Sequence, residues 1–351
     1  MTRALIVRLG ALGDIVHAIP AAAALRRAFP SARIDWLVSA RHAAILDLVT
    51  AIDRPLIVND RGGASNGMSM PAAIREMRRA HYDVAIDLQG LLKSALLARV
   101  SGATRVVGFA APYARERFAP LLYTETWNPG GGGMYDPRES RHVVALNLGL
   151  LDLVGVKAPA VEFPIRAIES DAARTVQRRT AGRYALLNPG AAWPNKRWPA
   201  SRLAAVAAEL SARHGLMSVV LWGPGEESLA AEVVAGAGGA AILSPKTGIA
   251  DLVALSRGAA LMVSGDTGPL HIAAAAGTPI VGIYGPTRPA RNGPFAPDDV
   301  TVSRDGVCRC HHQRQCRDAR MCLLDIDVAE VLAAVDRRLH PVSARVREGQ
   351  A

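Results

Sequence analysis

Aromatic residues are scarce in this chain: Phe, Trp and Tyr together make up 5% of its 351 residues. That scarcity argues against an aromatic-rich β-sandwich, and the abundance of Ala, Leu and Val suits helices layered on sheets. Cysteine is missing from all but one short stretch, with the four examples falling between Cys308 and Cys322. No disulfide framework can therefore organise the whole fold. No run of about 18 uncharged apolar residues occurs, so no membrane-spanning helix is expected. The opening "MTRALIVRLGALGD" meets Arg8 and Asp14 too early to supply a signal-peptide core, and a cytoplasmic protein is expected. Neither half carries G-x-G-x-x-G with an acid about 20 residues further on, which disfavours a nicotinamide-dependent oxidoreductase. A recognisable nucleic-acid-binding motif and an aromatic stacking platform are lacking too.

What the chain does have is apolar content, at 50%, and positive charge. The length favours two domains. Lys and Arg outnumber Asp and Glu by 41 to 31, a formal net charge of +10, which favours an anionic partner without choosing one. The arginines of "LRRAFP" and "REMRRAHYD" read as solvated helix faces.

Short β-rich runs alternate with helix-length amphipathic segments, the pattern of parallel sheets with crossover helices. In the first half, 3–9, 33–39 and 82–89 read as strands; Ile15 to Ala28 and 91–102 read as helices. The glycine-rich "NPGGGGMYDPRES" (128–140) reads as a mobile loop. The pattern restarts near residue 180 with "YALLNPG" and a helix ending at Gly215, after Arg213 and His214. The strands 218–223, 241–244, 260–265 and 279–285 complete a second parallel sheet. Asp327 and Glu330 are spaced as a capping box for a last helix, and a frayed tail follows it. The expected division is a Rossmann-like domain at 1–165, a second at 166–325, and a helix with tail at 326–351. Ligands would bind at the carboxyl ends of the strands, in a cleft between the two halves.

Four stretches directly after strands could carry chemistry. In "LGALGDIVHAIP" (9–20), Gly10 and Gly13 make a tight turn, but Asp14 at the helix mouth would repel a phosphate. Asp14 either caps the helix or stands as a fixed carboxylate that takes a proton from a substrate hydroxyl. His17, one turn later, could orient the acid or the substrate. In "SGDTGPLHIA" (264–273), Asp266 precedes a helix start where Thr267 and Gly268 offer a hydroxyl and backbone N–H groups to a diphosphate. Pro269 fits the first helical turn, and His271 could add a donor. "NPGAAWPNKRWP" (188–199) puts Lys196 and Arg197 in a loop, with Lys196 the preferred counter-charge to a leaving phosphate. "LWGPGEES" places Glu226 and Glu227 where one of them could accept from ribose hydroxyls. A carboxylate in one half and an anion cradle in the other suit sugar transfer from a nucleotide diphosphate to a hydroxyl.

Read together, "GALGDIVHAIPA", "IDLQGLLKSALLA", "NPGAAWPNKRWP" and "SGDTGPLHIAAAAGTPIVGIYGPT" resemble glycosyltransferase family 9, the bacterial lipopolysaccharide heptosyltransferases, over nearly the whole chain. The "GDIVHAIP" and "QGLLKSA" wording is more similar to the heptosyltransferase I type than to type II. The resemblance implies a GT-B fold: two Rossmann-like α/β domains. It also implies inverting, metal-independent transfer of heptose from ADP-heptose to the Kdo region of a lipid A-linked acceptor, at the cytoplasmic face of the inner membrane. No cofactor and no nucleic-acid partner are implied. Carried over by motif, Asp14 is the base and Lys196 neutralises the diphosphate. Asp266, Thr267, Gly268 and His271 hold the donor, Glu226 contacts the ribose, with Glu227 an alternative, and Thr247 lies beside the adenine. Ala191 and Ala192 replace hydroxyl residues common in the family, so Ala192 would serve through its backbone. Gly13, His17, Arg61 and Lys93 belong to the acceptor side, with Arg75, Arg78 and Arg79 as further candidates. A second member of the family, with another acceptor or sugar nucleotide, fits the same motifs. A metal-dependent transferase would want an exposed D-x-D; the only such string, "DID" at 325–327, sits at a helix cap. The cysteines, spaced C-x-C-x5-C-x5-C with His311 and His312 between, leave a structural zinc site as one reading, but the spacing matches no standard finger and reduced thiols in a folded loop are the preferred one.

Overall fold

Ala4, Leu5, Ile6 and Val7 are all fully buried, a continuous apolar run of the kind that fits a parallel strand covered on both faces. In the computed structural model this run forms β1 (Arg3–Val7). The described residues are 1–60, 67–136, 138–157, 159–311, 313–316 and 320–340. Contacts divide the chain into two units, Met1–Arg166 and Ala167–Ala351.

The first unit adds β2 (Arg33–Ser39), β3 (Arg54–Val58), β4 (Val84–Asp87), β5 (Arg105–Phe109) and β6 (Glu125–Trp127). All neighbours pair in parallel, in the order β3-β2-β1-β4-β5-β6. The second unit has β7 (Tyr184–Asn188), β8 (Met217–Val220), β9 (Ala241–Leu243), β10 (Leu261–Gly265), β11 (Ile280–Tyr284) and β12 (Val300–Ser303). Its order is β12-β11-β10-β7-β8-β9. Read from the other edge, that is the first unit's order repeated. Each unit is thus a doubly wound sheet with one point where the strand order reverses: between β1 and β4 in the first, and between β7 and β10 in the second. Each sheet has its own core.

The single helix expected over Ile15 to Ala28 is two, Leu12–Val16 and Ile19–Ala28. Pro20 has no N–H to donate to the Val16 carbonyl, so one continuous helix would lose that bond. The chain instead tightens, with the Ala18 N–H bonding to the Ile15 carbonyl at 3.0 Å. The second sheet also gains β12, a strand absent from the sequence-based expectation. The glycine-rich stretch expected to be mobile is tied at its base. Arg141 Nη1 donates to the Pro129 carbonyl at 2.8 Å, and the Tyr113 hydroxyl donates to that of Gly130 at 2.7 Å. The last helix, Val328–Leu339, has its capping box: Asp327 accepts from the Glu330 N–H at 2.8 Å, and Glu330 from the Asp327 N–H at 3.2 Å. The expected frayed tail lies, beyond residue 340, outside the described residues. Among the described residues no helix is long and apolar enough to cross a membrane.

Candidate functional site

The strongest sequence candidates fall at the two reversal points. In the first unit, β1 ends at Val7 and the chain turns through Gly10 into the short helix Leu12–Val16. Gly13 and Asp14 lie in that helix. Asp14 is its third residue rather than its N-cap, and its Oδ2 accepts from the N–H of Ala11 at 3.2 Å. Two guanidinium groups hold the carboxylate: Arg8 Nη2 lies 2.9 Å from Oδ1, and Arg115 Nη2 lies 2.9 Å from Oδ2. Burial pushes Arg8 down to about 10, against the opposing pull of Asp14. Arg115 moves the other way, raised chiefly by the Asp14 charge. Neither arginine emerged from the sequence as a site residue. Arg8 is visible there as a cation closing an apolar strand, but Arg115 has no local signal.

The end of β4 supports this turn. The Leu9 N–H donates to Gln89 Oε1 at 2.7 Å, and Arg8 Nη1 donates to the Leu88 carbonyl. Asp87 is fully buried at the last position of β4. It accepts from the Gln89 N–H, the Ser94 hydroxyl and the Tyr123 hydroxyl, each at 2.8 Å. Burial nonetheless raises its pKa above the usual range, with those hydrogen bonds opposing.

The other acceptor-side candidates scatter. His17 is buried, its carbonyl accepting from Asn147 Nδ2 at 3.0 Å and its ring edge-on to His142 at 5.3 Å between centroids. Lys93 pairs with Asp60 at 2.7 Å. Burial alone would raise the Asp60 pKa, yet the bonds from Lys93 and Ser39 hold it below the usual value. Arg75, Arg78 and Arg79 are exposed on the helix Met70–Ala80, with Arg78 bonded to the Val100 carbonyl at 3.0 Å. Arg61 lies outside the described residues.

In the second unit, Thr267 is the N-cap of the helix Gly268–Ala275, its hydroxyl facing the Leu270 N–H at 3.5 Å. Asn188, the last residue of β7, bridges to β10: its Nδ2 donates to Ser264 Oγ and Thr267 Oγ1, both at 3.1 Å. Asp266 is buried and gathers three partners. Lys196 Nζ stands 2.5 Å from Oδ2; His271 Nε2 and Asn292 Nδ2 stand 3.0 Å and 2.9 Å from Oδ1. Burial would raise this carboxyl, but the His271 hydrogen bond and the Lys196 charge prevail and hold it well below the carboxylate range. Lys196, expected as the counter-charge to a leaving phosphate, is thus held on Asp266, and its Nζ also sits 4.4 Å from the Trp193 ring centroid. His271 faces Asp266 through its Nε2. Lys196 belongs to a 3-10 turn, Pro194–Lys196. Its approach depends on Gly265: a Cβ there would come within 2.7 Å of the Lys196 carbonyl oxygen.

Glu226 accepts from the Gly223 N–H at 3.1 Å and lies over Gly190, where a Cβ would run into its carboxylate. That puts Glu226 beside Gly190, just after the end of β7. Glu227 is exposed at the start of the helix Glu227–Gly236. Ala192 is exposed, and Thr247 is half-buried ahead of the helix Ile249–Gly258. Asn188 and Asn292 were missed: the first stood in a quoted motif without a role, and the second has no pattern around it. Cys310 Sγ and Cys316 Sγ are 3.3 Å apart. Burial, then contact with Cys308, pushes the Cys322 thiol up to about 12. Among the described residues no group of three or more His, Cys, Asp or Glu is arranged to hold a metal.

Chemically, one unit offers a carboxylate clamped by two arginines. The other offers a helix N-terminus beside a lysine–aspartate–histidine cluster, an arrangement suited to anions. Residues 70–321 match the model of glycosyltransferase family 9 (heptosyltransferase). Lipopolysaccharide heptosyltransferase 1 of Escherichia coli K12 is 30% identical over 317 residues, covering 88% of this chain and 93% of its own. The enzyme of the same name from Pseudomonas aeruginosa is 28% identical over 317 residues, covering 87% and 85%. Among solved structures, a family 9 transferase from Veillonella parvula is similar with a TM-score of 0.78 and 22% identity, covering 96% of this chain and 97% of that one. E. coli heptosyltransferase WaaC with ADP is similar with a TM-score of 0.75 and 24% identity, covering 96% and 100%. The fold is that of the GT-B transferases.

Proposed function

Because the chain belongs to glycosyltransferase family 9, we propose that it moves L-glycero-D-manno-heptose from ADP-heptose to the Kdo region of a lipid A-linked acceptor, with inversion and without a metal. The observation that carries this reading is the cluster at the reversal point of the second unit. There a capped helix N-terminus, Thr267–Gly268, adjoins Lys196 held on Asp266. Relatives named lipopolysaccharide heptosyltransferase 1 support the choice of sugar and acceptor.

On this reading residues 1–165 bind the acceptor and 166–325 the donor. Asp14 takes the proton of the acceptor hydroxyl, and the oxygen so activated attacks the anomeric carbon. The bond to the ADP oxygen breaks as the new one forms, through an oxocarbenium-like state by analogy with glycoside hydrolysis. The negative charge gathering on ADP meets the Lys196 ammonium and the helix N-terminus, groups fixed before the reaction starts. Asp266 aims the lysine, and His271 and Asn292 fix Asp266. Glu226 takes the ribose hydroxyls, Thr247 flanks the adenine, and Ala192 offers backbone to the phosphates. Gly13, His17 and Lys93 serve the acceptor side, where Arg115 is the cation that an acidic sugar would meet beside Asp14. The protein would work in the cytoplasm, at the inner face of the inner membrane.

The test is mass spectrometry of Kdo2-lipid A incubated with the protein and ADP-heptose in EDTA. One added heptose is the expected result. No addition, with ADP still bound, would move the acceptor elsewhere within the family. No addition and no ADP binding would overturn the reading.

A further inference from the structure

The helix Leu92–Val100 is apolar on both sides. Its inner face is Ser94, Ala95, Leu97 and Ala98, all buried. Leu92 and Leu96, one turn apart, point the other way and are 44% and 51% exposed. A surface helix ordinarily turns polar side chains outward. The segment 116–122 lies against this helix: the Glu116 N–H donates to the Gly90 carbonyl at 2.9 Å, and the Glu116 carboxylate accepts from the Leu92 N–H at 2.6 Å. That segment adds Phe118 and Leu121, exposed by 53% and 80%. Two neighbouring elements thus each present two large apolar side chains to solvent, a concentration that marks an interaction surface.

Its border is cationic. Arg99 is exposed on the helix, Lys93 is exposed there but paired with Asp60, and Arg117 is exposed with its guanidinium carbon 5.0 Å from the Phe118 ring centroid. Across 91–101 and 113–122 the one acid is Glu116, and its carboxylate serves the Leu92 backbone. Large apolar side chains ringed by Lys and Arg match a bilayer interface, where the former enter the acyl boundary and the latter meet phosphate headgroups.

We propose that Leu92, Leu96, Phe118 and Leu121, with their bordering cations, seat the protein on an anionic lipid bilayer. This deepens the proposed function and rests on its lipid-linked acceptor. Arg115, which holds Asp14, is three residues from Phe118 in the chain, so the patch and the carboxylate's clamp share one loop after β5.

The experiment is co-sedimentation of the full chain with phosphatidylcholine vesicles, with or without about 30% phosphatidylglycerol. Wild type is compared with Phe118→Ser/Leu121→Ser, and with Val307→Ser as a control at an exposed apolar position of the other unit. Wild type and control bind the anionic vesicles and not the neutral ones, while the double variant loses binding by about ten-fold or more. With its substitutions exposed, the double variant keeps its Tm and its transfer to a deacylated, water-soluble acceptor, but transfers poorly to acceptor in vesicles. The proposal is overturned if wild type ignores anionic vesicles, binds neutral ones equally, or sediments no better than the double variant. It is equally overturned if wild type is a dimer that the double variant breaks, since a second copy then covers the patch. Loss of transfer to every acceptor by wild type, with the sedimentation pattern intact, would count against the proposed function and leave the docking surface standing.

Discussion

Asp14 is where the chemistry and the packing of single residues meet. Its two arginines neutralise it and fix its direction, and Arg8 is buried, with 3% of its side chain exposed. Asp14→Asn keeps the shape and removes the charge, so two effects are expected and can be separated. Transfer falls by about 10²–10⁴-fold, the usual worth of a positioned base, while ADP affinity stays essentially unchanged because the residues proposed for the donor lie in the other unit. The Tm also falls, since a buried guanidinium loses its counter-ion. Single-turnover rates and ADP titration well below the Tm check the first effect, and thermal denaturation checks the second. If transfer and ADP binding fall together, Asp14 is not the base. The sequence pointed to Asp14 through the mismatch of an acid at a glycine turn. It could not point to Arg115, because a partner 101 residues away leaves no local trace.

At the scale of elements, the turns after β7 and β10 are held in one arrangement by close backbone approach. Gly265 is the contact: any side chain there runs into the Lys196 carbonyl, which backbone alone can relieve only by moving the 193–197 turn. Gly265→Ala is expected to weaken ADP binding by about ten-fold or more, by displacing the lysine that would meet the diphosphate. Calorimetric titration with ADP measures this, and undiminished affinity would show that the turn's position does not matter to the donor. Helix starts and stops were largely legible at this scale, as at Gly215 and the Asp327–Glu330 capping box. The break at His17–Ala18 was not expected, although Pro20 carried the signal for it. The edge strand Glu125–Trp127 was missed because none of its three residues is fully buried, so no apolar run marks it.

At the scale of the whole molecule, two sheets of one topology each carry their own core. A ligand held by one unit should therefore protect that unit first. With ADP, slower hydrogen exchange is expected at 188–197 and 264–271, and not in the strands of the first unit. Equal protection of β1 and β4 would contradict the assignment of the donor to the second unit. The sequence by itself determined the α/β class, the restart near residue 180, the family and the motifs after the strands. Those are properties of local pattern: buried apolar runs, glycine turns and caps act over a few residues, and the family motifs are contiguous. Only the tertiary structure decided which charges face each other. Lys196 reaches Asp266 across 70 residues, and Arg115 reaches Asp14 across 101. Such pairs form because parallel strands bring their carboxyl ends to one edge of the sheet at the point where the strand order reverses. Separation along the chain places no restriction on which loops meet there.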